Sequence, residues 1–281
     1  MLFLRKLYYA LTPKMRFIAR RIRYFPVDLY DSFTGKRDAM TPPKGLIFIG
    51  SGDFVKQGEM LLDLLVRYAA LKPDSSVLDI GCGIGRLAVP LAKYLSPAGS
   101  YHGFDIVKNG IDWCNAHIAS KYPNFRFLHV DLKNTLYNDS TSAEARNFTF
   151  PYDDNSFDCI ALTSVFTHMM PEDMENYLAE ISRVMKPEGK CFATYFIVNE
   201  AISKKMSEGK TNFMFAHSFG TYYLMDKNVK EANVAFGEDY LVSSFKNHGL
   251  ECQAIHYGEW SNSPGSFFFQ DIAILKKSDI F

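Results

Sequence analysis

Nothing in these 281 residues reads as a membrane span, because no apolar run approaches the ~20 residues a helix needs to cross a bilayer. An overall excess of charge is also lacking. Thirty-one basic residues balance thirty-one acidic ones, which removes a general attraction to polyanions, and we expect no nucleic-acid partner. Cysteine is sparse: the five residues at 82, 114, 159, 191 and 252 form no Cys-x-x-Cys pair and none stands near a ligand-spaced histidine. We therefore expect reduced core thiols, no metal site and a cytoplasmic protein. What is present is ordinary for a globular chain, with 47% apolar and 22% charged residues. The length suffices for one large domain with an extension.

Glycine is concentrated at one place. In the run Ser76-Val77-Leu78-Asp79-Ile80-Gly81-Cys82-Gly83-Ile84-Gly85-Arg86-Leu87, a short apolar stretch suits a buried strand. The alternating glycines let the backbone turn sharply and let a ligand approach the main chain. Leu87, Leu91 and Leu95 then follow at helical spacing from a start near Gly85, with Pro90 close to the first turn. Strand, glycine turn and helix make a binding crevice in an open α/β sheet. The dinucleotide fingerprint G-x-G-x-x-G fails here, since its last glycine falls at Arg86, which sets a nicotinamide dehydrogenase aside. The pattern that remains, Asp-x-Gly-x-Gly-x-Gly from Asp79 to Gly85, resembles motif I of the class I S-adenosylmethionine-dependent methyltransferases.

Later segments extend the resemblance to the carboxyl end. Ser100 to Asp105 and Phe125 to Val130 read as strands that each end at an acid, Asp105 and Asp131. Asn109 to Tyr122 reads as the helix between them. Phe150-Pro151-Tyr152-Asp153-Asp154-Asn155-Ser156-Phe157-Asp158 resembles the family's lead-in to strand four, Cys159 to Leu162. A helix marked by Met174, Tyr177, Leu178, Ile181 and Met185 follows, then a turn at 186–190 whose Glu188 departs from the family's Pro-Gly-Gly. Strand five is expected over Cys191 to Val198, a helix over Glu238 to His248, and final strands over Leu250 to Tyr257 and Phe267 to Lys276. The resemblance implies a Rossmann-like seven-stranded mixed sheet, order 3-2-1-4-5-7-6 with the last strand antiparallel, and helices on both faces.

The resemblance also implies residue roles. Asp79, Gly81, Cys82, Gly83, Gly85, Asp105, Ile106, Asp131, Leu132 and Ser164 are expected to hold S-adenosylmethionine and its product S-adenosylhomocysteine. Asp105 would take the ribose hydroxyls, Ile106 would pack on the adenine, and Asp131 with Leu132 would meet the adenine edge. The segment Thr163 to His168 follows strand four, where the transferable methyl is expected. An oxygen acceptor needs a base, and His168 is the first candidate, with Asp53, His217 and His256 behind it. Asp53 and Phe54 are further candidates to line the cofactor site.

Two segments flank this core. Residues 1–45 are basic and amphipathic, with Leu2, Phe3, Leu4, Leu7, Tyr8 and Leu11 among arginines and lysines and no acid before Asp28. They end at the Thr41-Pro42-Pro43-Lys44-Gly45 linker, which opens a domain over 46–281. A helix docked on the core with a solvated basic face is expected; contact of residues 1–25 with an anionic membrane is the alternative. An insertion over about 199–236, rich in aromatics (Phe213, Phe215, Phe219, Tyr222, Tyr223) around His217, is expected to be a lid. Trp260 is expected as a half-buried loop residue. The function expected is methyl transfer to a small-molecule or glycan acceptor, at oxygen. The alternatives are a cofactor-binding protein without turnover and a membrane-peripheral enzyme with a lipid-linked acceptor.

Overall fold

A computed structural model of the chain describes residues 11–50 and 52–278. Leu2, Phe3, Leu4, Leu7 and Tyr8 of the expected amphipathic segment lie outside the described residues. Helix α1 (Pro13–Thr34) starts at Thr12, whose hydroxyl accepts the Met15 N–H, and stops at Gly35 in the left-handed region. It touches the body through Phe17, edge-on to Phe48 at 5.5 Å, and through Asp28, whose carboxylate accepts the N–H groups of Lys44 and Gly45. Helix α2 (Phe54–Tyr68) buries Leu61, Leu64 and Leu65. Asp53 accepts the Lys56 N–H at 3.0 Å as the cap of this helix, and Phe54 is buried beside it in the core; neither lines the cavity at the strand ends.

Strand β1 (Ser76–Ile80) is followed by α3 (Ala88–Tyr94), β2 (Ser100–Asp105), α4 (Lys108–Cys114), β3 (Phe125–His129), β4 (Phe157–Leu162), α5 (Pro171–Val184) and β5 (Met185–Tyr195). β1 lies between β2 and β4, all parallel. Side chains alternate along it: Val77 joins the core under α2 and α3, whereas Leu78 and Ile80 join the core under α5. Both faces of the strand are therefore covered. α3 begins at Ala88, later than the expected Gly85, because Gly85 is held at φ +82°, outside the helical region. α4 ends at Cys114 and passes into one wider turn, Asn115–Ala119, where a single helix to Tyr122 was expected.

After β5 the chain leaves the main sheet. β6 (Ile197–Val198), α6 (Glu200–Ser207), β7 (His217–Ser218), β8 (Tyr222–Leu224) and β9 (Val234–Gly237) build a second sheet, ordered β6-β9-β8-β7. Strand five was expected to run on to Val198, but Ile197 donates its N–H to Asp271 and pairs with β9 instead. α7 (Glu238–Asn247), β10 (Leu250–His256) and β11 (Asp271–Lys277) complete the chain. β11 lies antiparallel between β5 and β10, so the main sheet has the order β3-β2-β1-β4-β5-β11-β10, which is the expected 3-2-1-4-5-7-6 when its seven strands alone are numbered along the chain.

Asp271 explains why β11 starts four residues later than expected. Its carboxylate accepts three donors: Ile197 N–H, Gly258 N–H and the Trp260 indole N–H, at 2.6, 2.6 and 2.7 Å. Trp260 is fully buried rather than half-buried, since its indole reaches that carboxylate. The carbonyls of Phe268 and Phe269 accept from Glu259 and Trp260. Phe267 to Gln270 therefore form a loop held over the sheet edge, not a strand.

Candidate active site

The carboxyl ends of β1, β2 and β4 open into a cavity of about 740 Å³. Asp79, Gly81 and Cys82 form its floor where β1 ends. Gly81 has φ +71°, and a Cβ there would stand 2.4 Å from Val165 Cγ2. Gly81→Ala is expected to destabilise the fold by about 2–4 kcal/mol, from left-handed strain plus a clash with a β-branched side chain that cannot swing away. Denaturant titration would measure it.

Asp105 ties the turn to β2. One carboxylate oxygen accepts the Gly83 N–H and the other the Val107 N–H, each at 2.7 Å. Gly83 lies just behind the cavity lining, and Gly85 packs against Cys114 and Ile118. These two glycines shape the floor rather than line it. Burial pushes the Asp105 carboxyl up to about 6, against the pull of those backbone donors. Burial likewise raises Asp79 to about 7, opposed by the Tyr101 hydroxyl that donates to it at 2.7 Å. Arg86 also lines the cavity. Burial lowers its pKa to about 10, Nη2 donates to the Ile49 carbonyl at 2.6 Å, and Nε is buried without a partner.

Beyond β4, Thr163, Ser164, Val165, His168 and Met169 line the cavity. Ser164 is a non-glycine residue at φ +60°, a strained position at a strand end. Its N–H donates to Thr194 Oγ1 and its hydroxyl to Gln270 Oε1, which hold it there. His168 is half-buried in the wall, and burial lowers its pKa, with the Glu231 carbonyl pulling the other way. That carbonyl lies 2.7 Å from Nδ1. A carbonyl only accepts, so Nδ1 carries the proton of the neutral ring and Nε2 keeps its lone pair.

Ile106 and Leu132 share this cavity, but Asp131 does not. Its exposed carboxylate accepts from Asn138 instead, because Leu132 turns inward and Asp131 outward. His217 pairs with Leu224 in the small sheet, and His256 packs 4.6 Å from Tyr68; neither lines the cavity.

Sequence reasoning missed most of the far wall. Phe48, Ile49 and Gly50 cover one side, Tyr137 and Tyr177 another, and Phe196, Phe213 and Phe267 to Gln270 the third. The Phe267-Phe268-Phe269-Gln270-Asp271 run carried a usable signal: an acid inside an otherwise apolar strand pattern marks a buried polar tie.

These residues suit an adenosyl sulfonium ligand. The Asp105 oxygens each hold one N–H and retain lone pairs, and Arg86 is a half-buried cation whose Nε has no partner. Residues 77–189 match the family model described as a methyltransferase domain. Over those residues the chain is similar to a methyltransferase domain. It is 27% identical over 128 residues to a 2-phytyl-1,4-naphthoquinone methyltransferase of Trichormus variabilis, covering 46% of this chain and 49% of that protein. The chain spans about half the length of such curated relatives. Its fold is similar to a protein of Pyrococcus horikoshii OT3, with a TM-score of 0.55, 18% identity, and 83% of this chain and 95% of that one covered. It is also similar to the 1,6-didemethyltoxoflavin N1-methyltransferase of Burkholderia thailandensis, solved with 1,6-didemethyltoxoflavin and S-adenosylhomocysteine. There the TM-score is 0.51 and the identity 15%, with 92% and 89% of the two chains covered.

Proposed function

We propose that this protein methylates a hydroxyl oxygen on a small, flat, largely apolar acceptor. One observation carries the reading: a single cavity joins two strand-end acids and a half-buried cation to a wall of aromatic side chains beyond β4. When bound, S-adenosylmethionine supplies a methyl already attached to a good leaving group. Asp105 takes the ribose hydroxyls, Asp79 faces the ammonium, Arg86 takes the carboxylate, and Ile106 and Leu132 flank the adenine. His168 Nε2 accepts the acceptor's hydroxyl proton. Phe196, Phe213 and Asn233, from segments that flank the strands of the second sheet, act with Phe267 to Gln270 as the lid that excludes water.

An aromatic wall favours a ring over a glycan, whose many hydroxyls would each need a polar partner. The naphthoquinone in the name of the cyanobacterial relative is such a ring. The test incubates the protein with labelled S-adenosylmethionine and two acceptor panels, hydroxylated bicyclic aromatics and saccharides. Mass spectrometry should find methyl ethers in the first panel alone. Transfer to sugars would overturn the acceptor class, and cofactor binding without any transfer would favour a non-catalytic binder.

A pH effect follows from the two buried acids. Both are raised above their unfolded value of 3.8, so between about pH 4 and 7 the native chain holds more protons than the unfolded one. Stability therefore falls as pH rises through that window. A cationic ligand favours the ionised carboxylates, so cofactor binding near pH 7 should release protons and tighten as pH rises from 6 to 8. Calorimetry in buffers of different ionisation enthalpy reads that release directly.

A further inference from the structure

The outward side of α1 takes no part in the cavity. Of its residues only Pro13 is buried. Its inner side makes specific contacts: Phe17 on Phe48, Arg16 to the Leu136 carbonyl, Arg20 to the Lys44 carbonyl, and Asp28 to the 44–45 backbone. The opposite side carries Met15, Ile18, Ile22, Phe25, Leu29 and Phe33, spaced three or four residues apart, which places them in one stripe along the helix. Their exposure runs from 44% at Leu29 to 83% at Phe33. Isolated exposed apolar residues are ordinary, but a contiguous stripe of six marks a surface that something covers.

Charge identifies what covers it. Residues 11–37 hold seven lysines or arginines against two acids, in a chain whose total charge is balanced. By helical position Lys14 and Arg21 border one edge of the stripe, with Asp28 continuing that row toward the body, Arg23 lies beyond the other edge, and Asp31 is on the far side of the helix. We propose that α1 is a docking surface for an anionic lipid bilayer. It lies in the membrane plane with the six apolar side chains at the acyl boundary and the flanking cations reaching the headgroups. A second copy of the chain is the other occupant a three-four stripe would fit. A helix pair, however, needs opposite charges across its seam, and here cations outnumber acids seven to two over residues 11–37. Pro26 within the helix further disrupts a regular pairing surface.

The inner side of α1 rests on Phe48 of the cavity wall, so docking would hold that wall about one helix diameter, ~10 Å, from the lipid. This assignment is independent of the methyl-transfer reading.

The test is vesicle flotation of the full chain. It should float with phosphatidylcholine vesicles containing phosphatidylglycerol and stay behind with phosphatidylcholine alone, and added salt should weaken the binding. The triple variant Ile18→Asp/Leu29→Asp/Phe33→Asp should lose roughly a hundredfold in partitioning with an unchanged circular dichroism spectrum. Arg23→Gln should lose about fivefold on the anionic vesicles alone. Absence of flotation by the unaltered chain would overturn the proposal. So would unchanged flotation of the triple variant, which would move the contact to another part of the chain. Dimerisation in light scattering that the triple variant abolishes, without vesicle binding, would assign the stripe to a second copy and overturn it as well.

Discussion

Replacing His168 by alanine should lower turnover by roughly 10²–10⁴-fold while cofactor affinity stays within about twofold. The ring meets the two demands on a base for a hydroxyl acceptor. It lines the cavity beyond β4, and the Glu231 carbonyl at 2.7 Å from Nδ1 leaves Nε2 as the atom with a lone pair. Burial also lowers its pKa, so the neutral ring persists somewhat below pH 6.5, and activity should hold to that point before falling as the ring protonates. A structural role predicts something different. Losing the bond to Glu231 would cost about 1 kcal/mol of stability and leave the pH profile's shape intact. The alanine variant should instead gain rate steadily with rising pH, as the acceptor hydroxyl ionises unaided, and added imidazole should restore part of the loss. A variant with unaltered kcat would remove His168 from the reaction.

Most of the scaffold was readable because its signals are local and periodic. Val77, Leu78 and Ile80 are a buried strand in any context that covers both faces, and Asp79 with three alternating glycines leaves few backbone solutions after it. Tertiary ties were harder. Asp271 collects three donors from segments near 197, 258 and 260, and no pattern within the run Phe267 to Leu275 foretells those distant partners. That single carboxylate turns four residues of expected strand into cavity wall. Asp53 illustrates the opposite error. A carboxylate three residues before a helical lysine has a near-at-hand use as a cap, and Asp53 caps α2 outside the cavity lining.

The acids show how much further a site can be read than its individual contacts. Asp105 and Asp131 were both expected to meet the nucleoside, yet of these two only Asp105 lines the cavity. Asp131 is one residue out of phase with Leu132, and in an extended chain that reverses the direction of the side chain. Apart from Phe213 of the expected lid, the aromatic far wall escaped notice because it is assembled from separate segments. Phe48 precedes the first helix of the core, Tyr137 lies in a surface loop, Phe213 belongs to the insertion, and Phe267 follows β10.

Asp105→Asn should weaken S-adenosylmethionine binding by about 10²–10³-fold, a larger loss than an isosteric change ordinarily brings. Each oxygen of the carboxylate already accepts a backbone N–H, from Gly83 and from Val107. An amide offers one acceptor oxygen, so its NH₂ must face one of those two donors, and no rotation of the side chain relieves both. The glycine turn or the start of the 107–110 segment must then shift, and with it the lone pairs meant for the ribose. Two charge-assisted hydrogen bonds are at stake, each contributing about 1.5–3 kcal/mol. The unliganded variant should lose only about 1–3 kcal/mol of stability, because replacing a carboxylate that burial holds near pH 6 also removes an ionisation cost at neutral pH. The variant's affinity should also lose part of its rise between pH 6 and 8, leaving the share that Asp79 supplies. Isothermal calorimetry across that range separates the two acids, and an unchanged Kd at every pH would take Asp105 out of the cofactor site.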